Sequence, residues 1–311
     1  MLARRTDPSI SVWSRDQIDS PYPPEVEAVS RAPVPSESLQ LSQAYWNAAA
    51  ETYKQAFTGT LVGSMWREAV WRQLDAAFQP GSYVLELNCG TGIDAIHLAN
   101  RGVSVLACDI SSRMIELARQ NAVGTGVEEL LDFRVLATEQ LATLQDGTIF
   151  DGAFSNFSGL NCVQDLAAVR RSLACRLRPG SRVLLCMLGR FGVWQRLWHL
   201  AHGNWNQVFR SAQSTDVEGA IQVQYPSRKQ IVALFSPDFK LHRWKGIGIA
   251  VPPAYMEHWA VRFPQLTQCL NHIDSLIGSV PMLRNLGGCI LLEFERIPLE
   301  KRQHADDAQD S

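Results

Sequence analysis

The sequence has few features of a membrane or secreted protein. No apolar run reaches 18 residues, so no transmembrane helix is predicted, and residues 1–10 lack the apolar stretch of a secretory signal. The seven cysteines form no CxxC pair, so we expect reduced core residues rather than a disulfide framework or a zinc site. These absences predict a cytoplasmic protein without a membrane partner.

The sequence also lacks a charge excess. It has 29 basic and 31 acidic residues, and no stripe of lysine and arginine, which argues against a nucleic-acid partner. No spacing typical of metal ligands occurs, so we expect no metal. Hydrophobic residues make up 46% of the 311 residues, which is enough to bury a large core.

The most informative stretch is Val84 to Gly92, where a short apolar strand runs into a glycine turn. A helical pattern follows from Ile93 to Asn100, and a second apolar strand, Val103 to Cys108, ends on Asp109. Strand, glycine turn, helix, strand and acid form the βαβ arrangement of a nucleotide-binding α/β domain.

The remaining chain extends this alternation into one domain over 39–297, with a mostly parallel sheet covered on both faces. Proline-rich residues 1–38 predict a flexible arm, and 298–311 a polar tail. Helical additions at 190–225 and 246–286 interrupt the alternation, and we expect them to form a lid.

Three boundaries in this pattern are specific enough to test. The first helix is predicted over Leu39 to Phe57, and the fifth strand over Arg182 to Leu188. A long helical region is predicted from Pro252 to about Ile277. Ser111 is predicted to cap the helix after the second strand.

Four short motifs follow one another at the ends of the predicted strands. They are Glu86-Leu87-Asn88-Cys89-Gly90-Thr91-Gly92, Asp109-Ile110-Ser111 with Met114, Asp151 to Phe157, and Leu177-Arg178-Pro179-Gly180. Their order and spacing resemble the class I S-adenosylmethionine-dependent methyltransferases over about residues 45–190. The resemblance implies a Rossmann-like three-layer sandwich, a seven-stranded sheet with an antiparallel last strand, and S-adenosylmethionine as cofactor.

A dinucleotide-binding interpretation competes with this one. Gly90, Gly92 and Ala95 also fit the GxGxxA fingerprint, with Asp109 near the expected distance. The position of Glu86 within the first strand favours the methyltransferase over the dinucleotide-binding domain. The final helix and strand favour it as well.

The resemblance implies cofactor contacts from the glycine turn and from the strand ends around it. Asp109 would bind the ribose, its alternative role being to cap a helix. Met114, Phe157 and Tyr53 have core packing as their alternative role, and Asn156 an Asx-turn. The full set of expected cofactor residues is Tyr53, Glu86, Asn88, Cys89, Gly90, Gly92, Asp109, Ile110, Met114, Thr138, Glu139, Asn156 and Phe157.

The function that the resemblance implies is methyl transfer to an oxygen or nitrogen atom of a small, apolar or aromatic molecule. The residues expected at this acceptor are Trp194, Trp198 and Asn161, with ordinary core packing as the alternative for the tryptophans. No pattern identifies a general base, and His199 and His202 are candidates because they lie in the variable region. The alternatives are a cofactor-binding cyclase or accessory protein and, with least support, a protein or RNA methyltransferase.

Overall fold

The computed structural model describes residues 35–144, 147–190, 192–201, 215–218 and 221–298. Most of the expected arm at 1–38 and nearly all of the tail at 298–311 therefore lie outside the described residues. Within the described residues no helix has both the length and the apolar character needed to cross a bilayer.

Helices and strands alternate through the middle of the chain. The helices are α1 Pro35–Tyr53, α2 Leu61–Ala77, α3 Ile93–Ala99, α4 Ser112–Ala122, α5 Leu166–Arg176, α6 Val193–Ala201, α7 Arg228–Phe235, α8 Glu257–Arg262 and α9 Pro264–Ile277. The strands are β1 Tyr83–Leu87, β2 Ser104–Asp109, β3 Leu131–Val135, β4 Phe150–Ser155, β5 Leu177–Leu188, β6 Thr215–Glu218, β7 Ile221–Gln224, β8 Phe239–Ile247 and β9 Cys289–Arg296.

The main sheet has seven strands in the order β3-β2-β1-β4-β5-β9-β8. Strands β1 to β5 pair in parallel, and β9 runs antiparallel between β5 and β8. The predicted Rossmann-like sheet with an antiparallel last strand is confirmed. The strand order reverses between β1 and β4, which is where ligands bind in open α/β sheets.

Each face of the sheet has its own apolar core. Along β1, Val84 packs on the face covered by α2 and α3, whereas Leu85 and Leu87 pack on the opposite face with α5 and α7. This alternation follows from the two-residue period of a strand. The three-layer sandwich therefore buries both faces of β1. Of the four buried side chains of β1, three are apolar and one, Glu86, is polar.

The three tested boundaries differ from the sequence prediction. The α-helical part of the first helix ends at Tyr53, and a π-helical turn, Lys54–Thr58, follows it. Strand β5 begins five residues earlier than predicted, because Leu177 pairs with Phe150 across a register shift.

The long helical region after Pro252 is broken into a short turn, α8 and α9. Pro264 occupies the first turn of α9, where its missing N–H is tolerated; inside a continuous helix it would remove a hydrogen bond.

Candidate functional site

The turn between β1 and α3 is held to the neighbouring strand by backbone hydrogen bonds. The amide of Cys89 donates to the carbonyl of Cys108, and the amide of Gly92 donates to Cys89. Asn88, Gly90 and Gly92 all have positive φ angles, of 54°, 52° and 74°. The chain can therefore reverse sharply at the carboxyl end of β1.

The two glycines of this turn have different surroundings. A Cβ on Gly90 would meet only Tyr53, at 3.8 Å, so this backbone faces open space. A Cβ on Gly92 would lie 2.8 Å from Ala118 and 2.8 Å from Phe133. Gly92 therefore allows α3 and α4 to pack closely, and Gly90 is the glycine that a ligand can approach.

Asp109 lies at the end of β2 and faces the glycine turn. Its Oδ2 accepts from the amide of Gly90 at 2.9 Å, and its Oδ1 accepts from the amide of Ser111 at 2.8 Å. Burial raises the pKa of Asp109 to about 6, and these two amides oppose the rise. Each oxygen keeps a lone pair, which fits two neighbouring hydroxyl donors such as a ribose diol.

Ser111, not Asp109, caps the following helix. Its side chain accepts from the amide of Met114 at 3.0 Å, which confirms the predicted cap. Asp109 is therefore left to face the cleft.

A cleft opens above the carboxyl ends of β1, β2 and β4, with about 660 Å³ between its walls including the part open to solvent. It brings together most of the residues that the sequence predicts as cofactor contacts. Those that line it are Tyr53, Asn88, Gly90, Asp109, Ile110, Met114, Thr138, Glu139, Asn156 and Phe157.

Three predicted cofactor residues do not line the cleft. The thiol of Cys89 packs into the apolar core, where burial raises its pKa well above the usual value. Gly92 packs against α4, as described above. Glu86 is 1% exposed on the α2 and α3 face of β1, and its Oε2 has no hydrogen-bond partner among the described residues. Burial, and then the charge of Asp94, raise the pKa of Glu86 well above its usual range.

A buried polar network lies on the same face of the sheet. Asp94, in the first turn of α3, accepts from Nη1 of Arg67 at 2.7 Å and from Nε1 of Trp71 at 2.7 Å. Its other oxygen accepts from Nδ2 of Asn156 at 3.0 Å. Burial raises the pKa of the Tyr53 phenol, and the guanidinium of Arg67 opposes that rise.

The residues expected at the acceptor have mixed outcomes. Asn161 is fully buried, and its amide is used on both sides: Nδ2 donates to Gln224 O at 2.7 Å, and Oδ1 accepts from Leu188 N at 2.9 Å. In this structure the side chain of Asn161 ties β7 to β5 and leaves neither of its polar atoms free for a substrate. Trp194 packs against Trp259, with ring centroids 6.5 Å apart.

The remaining candidates of the variable region are not described. The side chains of Trp198 and His199, and the whole of His202, lie outside the described residues. Among the residues that are described, no group of three or more histidine, cysteine or acidic side chains is placed to hold a metal ion.

Helix α1, whose Tyr53 was predicted at the cofactor, also lines the cleft with three residues that the sequence did not predict. Leu39, Ser42 and Trp46 line the cleft from this helix. The helix is fixed over α4 because Gln43 donates to Ile110 O at 3.0 Å and Asn47 Oδ1 accepts from Ser111 Oγ at 2.7 Å. These contacts join residues more than 60 positions apart, so no local pattern signals them.

The loop after β4, whose Asn156 and Phe157 were predicted at the cofactor, lines the cleft further along than the sequence predicted. Phe157 and Ser158 have φ angles of 47° and 69°, which is unusual for residues other than glycine. Beyond them Gly159, Cys162 and Val163 line the cleft. Strained backbone of this kind is concentrated at functional sites.

Comparison with known proteins gives a methyltransferase domain that matches residues 84–180. A ubiquinone biosynthesis O-methyltransferase of Xanthomonas axonopodis pv. citri is 34% identical over 118 residues, which are 38% of this chain and 48% of that protein. A tRNA 5-carboxymethoxyuridine methyltransferase of Escherichia coli K12 is 30% identical over 167 residues, 51% of this chain and 61% of that protein. The chain thus spans about half the length of these relatives.

Among solved structures, the [4+2]-cyclase SpnF is similar with a TM-score of 0.57 and 13% identity. The match covers 88% of this chain and 99% of that one. At this identity the likeness shows a shared fold.

Proposed function

The chain belongs to the class I S-adenosylmethionine-dependent methyltransferases through its domain at residues 84–180, with S-adenosylmethionine as cofactor, and from this premise we propose that it methylates a small organic molecule. The acceptor atom that we propose is an oxygen or a nitrogen, on an apolar or aromatic compound. The observation that carries the proposal is the carboxylate of Asp109, held by two backbone amides at the wall of the cleft.

The residues around the cleft fit this cofactor. Asp109 offers acceptors for the ribose hydroxyls, and Gly90 leaves room for a close backbone approach. On the β4 side, Oδ1 of Asn156 is buried and has no hydrogen-bond partner among the described residues, although its residue lines the cleft. A buried acceptor without a donor fits a ligand that brings an N–H group of its own.

S-adenosylmethionine supplies, when bound, a methyl group that its sulfonium has already activated. The protein then has to align the acceptor and exclude water. Tyr53 and Phe157 enclose the cleft, and Phe57 packs on Phe157 with ring centroids 4.9 Å apart. Because burial raises the pKa of Tyr53, its phenol is protonated at neutral pH and is not a base there.

The apolar walls of the cleft support a small apolar or aromatic acceptor. Trp46, Cys162 and Val163 line it, and Trp46 and Cys162 also pack against the apolar side chains of β7. The similarity to a ubiquinone biosynthesis O-methyltransferase supports an oxygen atom on a small molecule as the acceptor.

Two other functions are each supported by one observation. The tRNA methyltransferase relative supports RNA as acceptor, although the net charge of −2 gives little attraction for a phosphate backbone. The fold shared with a cyclase supports a protein that binds the cofactor without transferring its methyl group.

Calorimetry with S-adenosylhomocysteine tests the cofactor site, and Asp109→Ala is the informative variant. We expect it to weaken binding by about 1–3 kcal/mol, since hydrogen bonds to a charged acceptor are lost. Asp132→Ala, at a partly buried position of β3 that does not line the cleft, is the matched control and should bind like the wild type. A wild-type chain that does not bind the cofactor product would refute the proposal.

Transfer of a labelled methyl group separates the three functions. We expect label to enter members of a panel of small phenols and amines. Label in total tRNA instead would establish the RNA function, and tight binding without transfer to either would support the cyclase or accessory function.

A further inference from the structure

Asp94 is the centre of the buried network and was not singled out by any sequence motif. It is 3% exposed and accepts three hydrogen bonds. Two, from Arg67 and Trp71, reach Oδ1, and the third, from Asn156, reaches Oδ2. The donors come from α2 and from the end of β4, so Asp94 joins both elements to the start of α3.

The bond from Asn156 decides which way its amide points. An ionised carboxylate only accepts hydrogen bonds, so the NH2 group of Asn156 must be the end that faces Asp94. The carbonyl oxygen, Oδ1, therefore points away from Asp94. It is buried, it has no partner among the described residues, and its residue lines the cleft.

A second buried oxygen without a partner among the described residues, Oε2 of Glu86, lies on the same face of the sheet. Glu86 and Asn156 share this face because Val84 and Phe154, two residues before each, pack into the core under α2 and α3. Burying such oxygens without a donor costs free energy unless a ligand supplies one. Of the two residues only Asn156 lines the cleft, so its free oxygen is the one that an N–H donor of a ligand there can satisfy.

We propose that Asp94 is a positioning residue, which fixes Asn156 so that Oδ1 accepts a hydrogen bond from the α-ammonium group of S-adenosylmethionine. This inference rests on the proposed function and assigns the amino-acid end of the cofactor to the β4 side of the cleft. The ribose end then lies at Asp109, on the β2 side.

Asp94→Asn tests the orientation directly. The new amide should keep its oxygen towards Arg67 and Trp71, because two donors meet there, and turn its NH2 group towards Asn156. Asn156 then has to rotate its amide to accept, which presents an NH2 donor to the ammonium group. We expect the affinity for S-adenosylhomocysteine to fall about tenfold or more.

Methylthioadenosine provides the internal control, because it keeps the adenosine and lacks the amino-acid end. Its affinity for Asp94→Asn should stay within about twofold of the wild type. This binding also reports that the variant is folded. Trp71→Phe removes one donor to Asp94 and leaves Asn156 in place, so it should bind both compounds like the wild type.

The double variant D94N/N156D should restore binding. Its asparagine NH2 group donates to the new carboxylate, whose free oxygen again faces the ammonium group as an acceptor, and the total charge equals that of the wild type. Rescue of S-adenosylhomocysteine affinity would support the positioning role, since a merely structural role predicts no rescue.

Several outcomes would overturn the inference. One is that Asp94→Asn weakens the binding of both compounds equally. Another is that the double variant binds S-adenosylhomocysteine as weakly as the single variant does. In either case Asp94 does not position Asn156 for the amino-acid end of the cofactor. Should Asp94→Asn fail to fold, Asn156→Ala must show the same selective loss, because it removes the acceptor and leaves Asp94 paired with Arg67. A wild-type chain that binds neither compound would instead refute the proposed function itself.

Discussion

The strand ends below the cleft and the covering segment, helices α8 and α9, are stabilised by contacts of different range. Gly90 and Asp109, which bond across the cofactor turn, are 19 residues apart. Glu257 of α8 bonds to the amides of Leu61 and Val62, 196 and 195 residues away. A turn of the first kind follows from local sequence, whereas a contact of the second kind exists only after the chain has folded.

The two regions also differ in how they treat apolar side chains. Helix α4 buries Met114 and Ile115 almost completely. Helix α9 leaves Leu266, Ile273 and Leu276 exposed by 49%, 39% and 64%. The covering segment therefore gains less free energy from burial than the cofactor half, residues 61–163, and substitutions in the covering segment should cost less stability. The following experiments test this difference, in order of decreasing effect.

Arg67→Ala should be the most damaging substitution of the cofactor half. Arg67 and Asp94 have side chains that are 7% and 5% exposed, so removing the arginine leaves a buried carboxylate without its ion pair. We expect a loss of about 3–5 kcal/mol in the free energy of unfolding, measured with urea. Arg171→Ala, which breaks an exposed pair with Asp165, should leave the urea midpoint nearly unchanged. Equal effects of the two would contradict the assigned burial.

Gly92→Ala should destabilise the fold more than an alanine at another glycine with positive φ. It adds contacts of 2.8 Å with Ala118 and Phe133 to the strain of a φ near 74°. The expected loss is about 2–4 kcal/mol by thermal unfolding. Gly81→Ala, where nothing lies within 4 Å, should cost only the backbone strain, about 1 kcal/mol. If both variants lose the same amount, the packing role of Gly92 is refuted.

Cofactor affinity should depend on pH through Asp109. Its pKa is about 6, so at pH 5 about a tenth of the carboxyl is ionised, and affinity for S-adenosylhomocysteine should fall about tenfold relative to pH 7.5. Asp109→Asn should bind weakly at both values with no such step. A wild-type affinity that is flat across pH 5 to 7.5 would rule out Asp109 as the titrating acceptor.

The same pKa has an opposite consequence for the free protein. The folded value lies above the usual 3.8, so the folded state holds this proton more tightly between pH 4 and 6. The contribution of Asp109 to stability is therefore largest at low pH and is lost as the pH rises through about 6. In urea unfolding, the free energy of unfolding of the wild type should fall relative to that of Asp109→Asn as the pH rises from 4 to above 6.

Glu257→Gln should have the smallest effect, since it touches only the junction of the covering segment with α2. The carboxylate accepts from Leu61 N at 2.6 Å and Val62 N at 3.0 Å, at the positive end of the helix dipole. A neutral amide should cost about 1 kcal/mol of unfolding free energy. Glu129→Gln, at an exposed position before β3, serves as the control. A loss as large as that of Arg67→Ala would show that the covering segment is no more weakly held than the core.

The sequence predicted the cofactor half well because its signals are short. The turn from Glu86 to Gly92 and the acid Asp109 lie within one βαβ unit, so composition and spacing describe them. Contacts between distant residues were predicted poorly, because they leave no short signal in the sequence. Asn161 was expected at the acceptor and instead bonds to Gln224, 63 residues away.

By itself, the sequence determined the order of strands and helices, the glycine turn and the acid at its side, because periodicity and turn chemistry act over a few residues. Only the tertiary structure decided that Gly92 serves packing and Gly90 faces the cleft, and that α1 closes one wall. It alone also placed Arg67, Asp94 and Asn156 in one buried network. Hydrogen bonds and ion pairs between distant residues have no periodic pattern, so they become visible only when packing brings their elements together.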